Sequence, residues 1–288
     1  MIPNALLSAS KRCVLILLLL VGSSSTFAQK KLPKDAFESF LETQFWLGLK
    51  FGVNYTQAFP EQRNSGFSPI NYSTDSLQKS YDDFSMPGAH MGLEMNFYHR
   101  GFSVSFQPAY KRSSYSYANS IAWQGEQITS RLETTYDIEQ RLDLIELPLM
   151  IKADIIRKGN IRPFLMVGGF YSIVTSAQRD VDITETTFTD GTSLVSDAGS
   201  FAISDKDSFQ NFYGIGGGAG VNLDFWNIRT VLEVNYKRSI SNVTKSNVRQ
   251  NELGSLGEIN DEISLRDISV SVNFIFPFRF IDQQFKAY

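Results

Sequence analysis

The sequence is poor in the residues that most metal sites and thiol enzymes need. Its single cysteine, Cys13, lies near the N-terminus, and His90 and His99 are its only histidines. The rest of the chain therefore has no disulfide and no thiolate chemistry. Neither a zinc ligand set nor an acidic loop with calcium-ligand spacing is visible. The sequence predicts no metal and no cofactor.

Long apolar runs and basic runs are also missing. The apolar run from Val14 to Val21 is too short to span a bilayer, which takes about 20 residues as a helix. A helical membrane protein is therefore disfavoured. The chain has 27 Lys and Arg against 30 Asp and Glu, for a formal net charge of -3. Since no basic stripe offsets this balance, the sequence argues against nucleic-acid binding.

The N-terminus has the features of an export signal. Lys11 and Arg12 precede the apolar run, and the small residues Thr26 and Ala28 follow it. This order is typical of a secretory signal peptide. We predict a signal peptide over residues 1–28, a periplasmic leader over 29–44, a β-barrel over 45–280 and a C-terminal tail over 281–288.

Eight stretches of the chain alternate apolar and polar residues with the period of a β-strand. In the last, Ile268, Val270, Phe274 and Phe276 share one face, with Ser269 and Asn273 on the other. An apolar face of this kind needs a cover, and lipid provides it in an outer membrane. The pattern predicts an all-β fold, an eight-stranded antiparallel transmembrane β-barrel. The predicted strands are 45–57, 85–98, 102–111, 142–155, 161–175, 211–225, 228–239 and 265–278.

The connections between these strands alternate between short turns and long polar segments. In bacterial barrels the short turns are periplasmic and the long loops extracellular. We therefore expect localisation in the bacterial outer membrane with both termini periplasmic. Two long connections should continue as hairpins, with tips near Gly125 and at Asp190-Gly191. Pro108, Pro148 and Pro163 each lack a ladder donor, which predicts bulges or broken pairing at these positions.

The polar faces of the strands point into the predicted lumen. Eight strands leave an interior just wide enough for side chains, so charges there must pair. A lined channel is the alternative to this closed, structural core. Inward glycines at 214, 216, 218 and 220 should make room for Phe164, Met166 and Phe170. The predicted lumen charges are Lys50, Glu94, Glu146, Lys152, Asp154, Asp224, Arg229 and Glu233, with Lys237 beyond them.

Candidate catalytic residues are scarce. His90 shares a face with Glu94, but no nucleophile is identifiable beside them, so we predict no catalytic residues and no enzyme. The connection from Ala177 to Gln210 carries seven carboxylates against Arg179 and Lys206. It is interpreted as a solvated surface, with binding of bridging divalent ions or of a basic partner as alternatives.

Two adjacent strands resemble a known family. The stretch from Leu144 to Lys152, followed by Arg162 to Gly169, is similar to the most recognisable segment of the PorT-like outer-membrane β-barrel family of Bacteroidota. Met166-Val167-Gly168-Gly169 departs from the alanine-glycine usual there. The resemblance implies an outer-membrane barrel without catalytic residues. For the family's namesake it implies a part in type IX secretion.

Three functions follow as hypotheses. The first is a non-enzymatic barrel whose extracellular hairpins bind a partner, a surface ligand or an envelope component. The second is an accessory role in protein secretion across the outer membrane, and the third is a small lipid-modifying or hydrolytic enzyme. The expected partners are outer-membrane lipid and lipopolysaccharide, with a protein at the extracellular loops or in a secretion complex.

Overall fold

The computed structural model describes residues 43–64, 77–124, 131–157, 159–189, 192–225, 228–245 and 260–278. The predicted signal peptide, nearly all of the leader and the C-terminal tail lie outside these residues. So do both predicted hairpin tips. No helix in the described ranges is long and apolar enough to cross a membrane.

The described residues form eleven antiparallel strands in one sheet. The strands are β1 (Thr43–Gln62), β2 (Leu77–Tyr81), β3 (Pro87–His99), β4 (Phe102–Phe106), β5 (Ala109–Gln124), β6 (Arg131–Asp154), β7 (Ile161–Thr189), β8 (Thr192–Ser204), β9 (Phe212–Phe225), β10 (Ile228–Ser239) and β11 (Glu262–Pro277). A single turn of 3-10 helix, Lys206–Ser208, links β8 to β9.

Nine of these strands close into a ring with eight positions, because β4 and β5 share one position. β1 pairs with β3 on one side and with β11 on the other. From β11 the ring continues through β10, β9, β7 and β6, and β4 and β5 together link β6 to β3. The predicted eight-stranded barrel is therefore confirmed, and β10 has the predicted bounds. The short turns β3–β4, β6–β7 and β9–β10 lie at the end of the barrel where Thr43 and Phe278 also lie.

The predicted third strand is broken rather than continuous. β4 ends at Phe106 and β5 begins at Ala109, so Gln107 and Pro108 interrupt the ladder. The interrupted segment is still hydrogen-bonded to β3, because the backbone N–H of Leu93 donates to the Pro108 carbonyl at 2.9 Å. The prediction of broken pairing at Pro108 is thus confirmed.

Pro148 pairs continuously with β7, but on its other side it lies in the gap between the β4–β6 and β5–β6 ladders, so the prediction is confirmed there. At Pro163 the prediction is wrong, because this residue pairs with Val221 without interruption. The Pro148 carbonyl accepts from Gln107 N–H at 3.0 Å. In an antiparallel strand the N–H and the C=O of one residue point toward the same neighbouring strand. An N–H at position 148 would therefore point into the gap between β4 and β5. The Pro163 carbonyl accepts from Ile155, beyond the last residue of β6. Each proline therefore sits where no ladder acceptor needs its N–H.

The outer wall of the ring is apolar and ends in two aromatic belts. Exposed phenylalanines lie near the short-turn end, at positions 45, 97, 102, 225 and 276. Exposed tyrosines lie toward the other end, at positions 55, 110, 171, 213 and 236. Tyr55 lies ten positions after Phe45, and Phe225 lies twelve positions after Tyr213. At about 3.3 Å per residue and a tilt of about 40°, the apolar band is about 25 to 30 Å tall.

Several strands continue far beyond the tyrosine belt. β7 runs on for 18 residues after Tyr171, and β5 and β6 extend beside it. We call this extension, formed by β2, residues 113–124, 131–143 and 174–189, and β8, the crown. It confirms the prediction that the hairpins continue past the band. Its interior holds a hydrophobic cluster that includes Tyr115, Tyr117, Ile138, Leu142, Val181, Phe209, Val243 and Ile263.

Aromatic side chains of β7 fill the space beside the glycines of β9, as predicted. Phe164, Met166 and Phe170 are buried and point inward. A Cβ on Gly220 would lie 2.5 Å from Phe164 Cζ, and one on Gly214 would lie 2.6 Å from Phe170 Cζ. Such distances are far below van der Waals contact, so a side chain at either position would displace the phenylalanine ring beside it.

Candidate functional site

The barrel interior is filled by three layers of paired charges. The layer nearest the short turns contains Arg162, Arg229, Asp154 and Asp224. Arg162 contacts Asp154 at 3.0 Å and Asp224 at 2.5 Å, and Arg229 contacts Asp224 at 2.6 Å. The Arg229 guanidinium also lies 3.9 Å from the centre of the Trp46 ring. This layer therefore closes the short-turn end of the lumen.

The middle layer contains Lys50, Lys152, Glu94 and Glu233. Lys50 lies 2.8 Å from Glu233 and Lys152 lies 2.6 Å from Glu94, while Lys152 also contacts Glu233. Ser105 donates to Glu94 at 2.9 Å. All four charged side chains are almost completely buried. Each charge thus has a partner of opposite sign, as a charge in a dry interior must.

The third layer lies toward the crown and contains Lys111, Lys237, Glu146 and Asp267. Lys111 bridges Asp267 at 2.8 Å and Glu146 at 3.4 Å, and Lys237 contacts Glu146. A cavity of about 10 Å³ lies among these side chains, close to the smallest that holds one water. Above it the hydrophobic cluster of the crown begins with Phe170, Phe212 and Leu265.

Each layer has two cations and two carboxylates, so the lumen is neutral layer by layer. The structure places all eight predicted lumen charges in these layers. Sequence reasoning left out Lys111, Arg162 and Asp267. Lys111 and Asp267 could have been predicted to face the lumen, because they lie on the polar faces of their strands. Arg162 could not, because its strand is apolar on both faces. In the described residues, side chains rather than an open bore fill the barrel.

The crown is held together by two buried polar clusters. Asp261 accepts from the Tyr81 hydroxyl at 2.8 Å and from the Asn64 backbone at 2.7 Å, and contacts Lys79 at 3.3 Å. Burial raises the pKa of Tyr81 well above its usual value of 10.0, and Asp261 raises it further. The phenol therefore stays a donor. These contacts fasten β2 to the start of β11.

The second cluster joins β6, β7 and the segments before β9 and β11. Arg179 donates to Gln140 at 2.9 Å and to Asn260 at 3.0 Å, and contacts Asp205 at 2.5 Å. Residues 177–210, which were predicted to form an acidic connection, lie mostly in β7 and β8. Asp205, one of their seven carboxylates, is buried in the ion pair with Arg179. Together with the hydrophobic cluster, these contacts give the crown a packed interior.

Carboxylates gather on the outer face of the crown. Asp137 lies directly opposite Asp182, and Glu139 directly opposite Asp180. Arg141 contacts Asp180 at 2.7 Å and Glu139 at 3.6 Å. Among the described residues, Asp137 and Asp182 have no ion-pair partner. Like charges in directly opposite positions destabilise a sheet, so this face favours a cationic neighbour.

β8 is an edge of the sheet beside this acidic face. It pairs only with β7 in the described part of the chain, and all its residues except Ile203 are well exposed. Asp205 N–H donates to the Ala177 carbonyl at 3.0 Å. Strand alternation therefore turns the backbone groups of Ala202 and Ser200 toward the open edge. Gly199, at φ 110°, marks the bulge where the β7–β8 register shifts.

The sequence itself matches one family model, that of the outer membrane protein beta-barrel domain, over residues 27–245. This is most of the chain. The chain belongs to the outer membrane protein beta-barrel domain family. No curated protein matches the sequence.

Several solved structures are similar to this outer-membrane barrel. Ail, the attachment invasion locus protein of Yersinia pestis, in complex with the heparin analogue sucrose octasulfate, is 8% identical, with 81% of this chain and 99% of Ail covered and a TM-score of 0.31. Neisserial surface protein A is 10% identical over 80% and 95% of the chains, with a TM-score of 0.28. The outer membrane protease OmpT of Escherichia coli is 10% identical over 84% and 100%, with a TM-score of 0.37.

Membership of the outer-membrane barrel family explains why the outer wall carries an apolar band. The protein is a transmembrane β-barrel of the outer membrane, and lipid covers the outward phenylalanines, tyrosines and aliphatic side chains. The crown therefore projects from one membrane surface, and the short turns lie at the other.

The candidate pair His90 and Glu94 lies buried in the filled lumen of the barrel. Glu94 is engaged by Lys152, Ser105 and Asn273. His90 is buried, and its Nδ1 atom has no hydrogen-bond partner. Within the described ranges, no group of three or more His, Cys, Asp or Glu side chains is placed to hold a metal ion.

Proposed function

We propose that this protein is a non-enzymatic outer-membrane barrel whose crown faces outward and binds a protein partner. The partner is a polypeptide that offers an extended segment with basic side chains, and it pairs with the open edge of β8. The observation that carries this proposal is the exposed edge from Ser200 to Ser204 beside the acidic face of the crown.

Edge pairing explains a feature that would otherwise be a liability. A long exposed edge strand promotes aggregation, and soluble proteins usually cover or interrupt it. Backbone hydrogen bonds along such an edge supply affinity in many peptide complexes, and side chains supply specificity. The bulge at Gly199 leaves residues 200–204 as a regular stretch on the membrane side of the interruption.

The carboxylates of β7 lie within reach of a strand added to this edge. Asp182 is directly opposite Ser200, and Asp180 is directly opposite Ala202. A new strand would lie about 4.8 Å from β8. Because Ser200 and Ala202 are small, a lysine or arginine on that strand could extend across them to the carboxylates. Backbone pairing and charge therefore favour the same ligand.

The orientation of the crown is tested first, with Ser200→Cys. The only native cysteine is Cys13, in the predicted signal peptide, so the variant carries a single thiol after cleavage. We expect a membrane-impermeant maleimide to label this thiol on intact cells, because the side chain is exposed. Labelling that appears only after the cells are opened would place the crown in the periplasm.

The partner interaction is tested with Ala202→Pro. The proline removes the N–H that faces the open edge and leaves the β7–β8 ladder intact. A photo-crosslinker attached at Ser200→Cys should capture a partner on intact cells, and we expect Ala202→Pro to reduce this product about tenfold or more, which corresponds to about 1.4 kcal/mol. Asp182→Asn should reduce it less.

Ala202→Val is the matched control, because it adds bulk but keeps the N–H. Loss of the crosslinked product with both substitutions would show a steric effect at this position. An undiminished product with Ala202→Pro would contradict edge pairing. Both variants should remain folded and inserted, which is checked by their resistance to unfolding during cold electrophoresis in detergent.

An accessory role in secretion is the alternative, and it rests on the resemblance of residues 144–152 and 162–169 to PorT-like proteins. Both stretches lie in β6 and β7, largely within the lipid band, and not on the crown. Such a role predicts a stable, stoichiometric envelope complex that purifies from native membranes. Recovery of that complex from Ala202→Pro membranes would favour secretion over the crown partner.

The absence of catalysis is proposed from the engagement of Glu94 in the lumen. We expect His90→Ala to leave the lipid A and phospholipid composition of the membrane unchanged, because the candidate partner Glu94 is already held by Lys152, Ser105 and Asn273. Lipid composition measured by mass spectrometry checks this, with Lys111→Met, directly opposite His90 in β5, as a control for general disturbance of the lumen. A change specific to His90→Ala would favour the enzyme hypothesis.

A further inference from the structure

Two arginines face each other on the outer wall of the barrel. Arg238 of β10 lies directly opposite Arg266 of β11. Side chains in such positions have Cβ atoms about 5 Å apart, and like charges there are destabilising. The register therefore places two like-charged side chains next to each other, at a cost that a bound anion would reduce.

Protein carboxylates compensate this pair only in part. Arg238 contacts Glu61 at 3.2 Å, and both side chains are about half exposed, at 49% each. Exposed pairs of this kind contribute about 0.2 to 1 kcal/mol. The Arg266 guanidinium lies 3.9 Å from the centre of the Phe59 ring, and its Nε is buried without a hydrogen-bond partner. Within the described residues, Arg266 has no ion-pair partner.

The position of the pair points to the source of the anion. Arg238 follows Tyr236 of the tyrosine belt by two residues, and Arg266 precedes exposed Ile268 by two. Two residues correspond to about 7 Å along a strand. The guanidinium groups therefore lie just past the apolar band on the crown side, where lipid headgroups begin.

We propose that Arg238 and Arg266 bind a phosphate group of an outer-leaflet glycolipid. Guanidinium groups bind phosphate oxygens in pairs of parallel hydrogen bonds, and two adjacent groups can hold one phosphate between them. Phe59 keeps the Arg266 side chain flat against the wall. The glycolipid as the source rests on the proposed outward orientation of the crown.

Arg112 offers a matched control on the far side of the barrel. It also follows a belt residue, Tyr110, by two positions and is half exposed. Its directly opposite neighbour is a carboxylate, Asp143, at 2.9 Å, rather than a second arginine. Arg112→Gln therefore changes the surface charge at a comparable height without touching the proposed site.

The test is native mass spectrometry of the full-length protein in detergent, titrated with diphosphoryl lipid A, with dephosphorylated lipid A and with inorganic phosphate. We expect the wild type and Arg112→Gln to bind the phosphorylated lipid at least about tenfold more tightly than the dephosphorylated one. The double variant Arg238→Gln, Arg266→Gln should lose this preference. Its urea midpoint in phosphate-free detergent should be unchanged or higher, because a like-charge pair is gone.

Three results would overturn the proposal. They are an undiminished preference in the double variant, an equal loss in Arg112→Gln, and displacement of the lipid by equimolar inorganic phosphate, which would indicate a soluble ligand. The labelling of Ser200→Cys separates the two proposals. Failure of labelling removes the outer-leaflet glycolipid as the source, whereas failure of the titration removes the arginine site and leaves the crown proposal intact.

Discussion

Replacing Lys152 by methionine should lower the free energy of unfolding by about 3 to 5 kcal/mol. Lys152 contacts both Glu94 and Glu233 and is almost fully buried. Methionine fills a similar volume but leaves the middle layer with two carboxylates and only Lys50 as a cation. Urea unfolding in lipid vesicles, followed by tryptophan fluorescence, measures the loss.

The double variant Lys152→Met, Glu94→Gln separates charge imbalance from lost packing. It removes one charge of each sign, so the layer keeps the Lys50–Glu233 pair at 2.8 Å. We expect it to recover most of the lost stability, since an unpaired buried charge costs more than a missing pair. If the double variant is no more stable than Lys152→Met, the charge pairing is not what stabilises the lumen.

A valine at Gly220 should destabilise the barrel by about 3 kcal/mol or prevent its insertion, because overpacking forces side chains and backbone to move. A Cβ at this position would lie 2.5 Å from Phe164 Cζ and 2.4 Å from the Leu232 carbonyl oxygen. Cold electrophoresis in detergent and urea unfolding report the fraction folded and the stability.

Gly169→Val is the matched control in the neighbouring strand. Gly169 faces outward, and a Cβ there would meet only the Gly214 carbonyl oxygen, at 3.5 Å, an ordinary contact. We expect wild-type insertion and stability from this variant. Equal behaviour of the two valine variants would mean that the glycines of β9 serve strand flexibility rather than space for the aromatic side chains.

The barrel could be predicted from the sequence because lipid and lumen impose opposite polarity on alternate residues. β10 shows this well, since inward Glu233, Asn235 and Lys237 alternate with outward Leu232, Val234 and Tyr236, and its bounds were predicted without error. The fifth strand was less clear, because Phe164 and Met166 are as apolar inside as Leu165 and Val167 are outside. Arg162 was therefore missed in the lumen although it is fully buried.

The crown could be predicted only in part, because the lipid signal stops at the tyrosine belt. Beyond it, outward residues are polar and small, and the five residues of β2 have no alternating apolar pattern. The ion pairs were also beyond prediction. Lys50 and Glu233 are 183 positions apart, and their contact depends on strand order and stagger around the whole ring.

The Arg238–Arg266 pair was invisible to pattern reasoning for a similar reason. In the sequence, each arginine by itself has the pattern of an ordinary polar residue at the end of a strand. Only the β10–β11 register places them opposite each other, and only the belt shows that they lie at the headgroup level.

The layered lumen has a consequence for how this barrel can drift during evolution. Because each layer is neutral by itself, a lost cation can be offset by losing a carboxylate among its three companions, without change elsewhere. Substitutions at Lys111, Lys237, Glu146 and Asp267 should thus be correlated with one another and independent of those around Arg229. The charged residues of the lumen can therefore be replaced one layer at a time, while the lipid-facing wall and the crown stay unchanged.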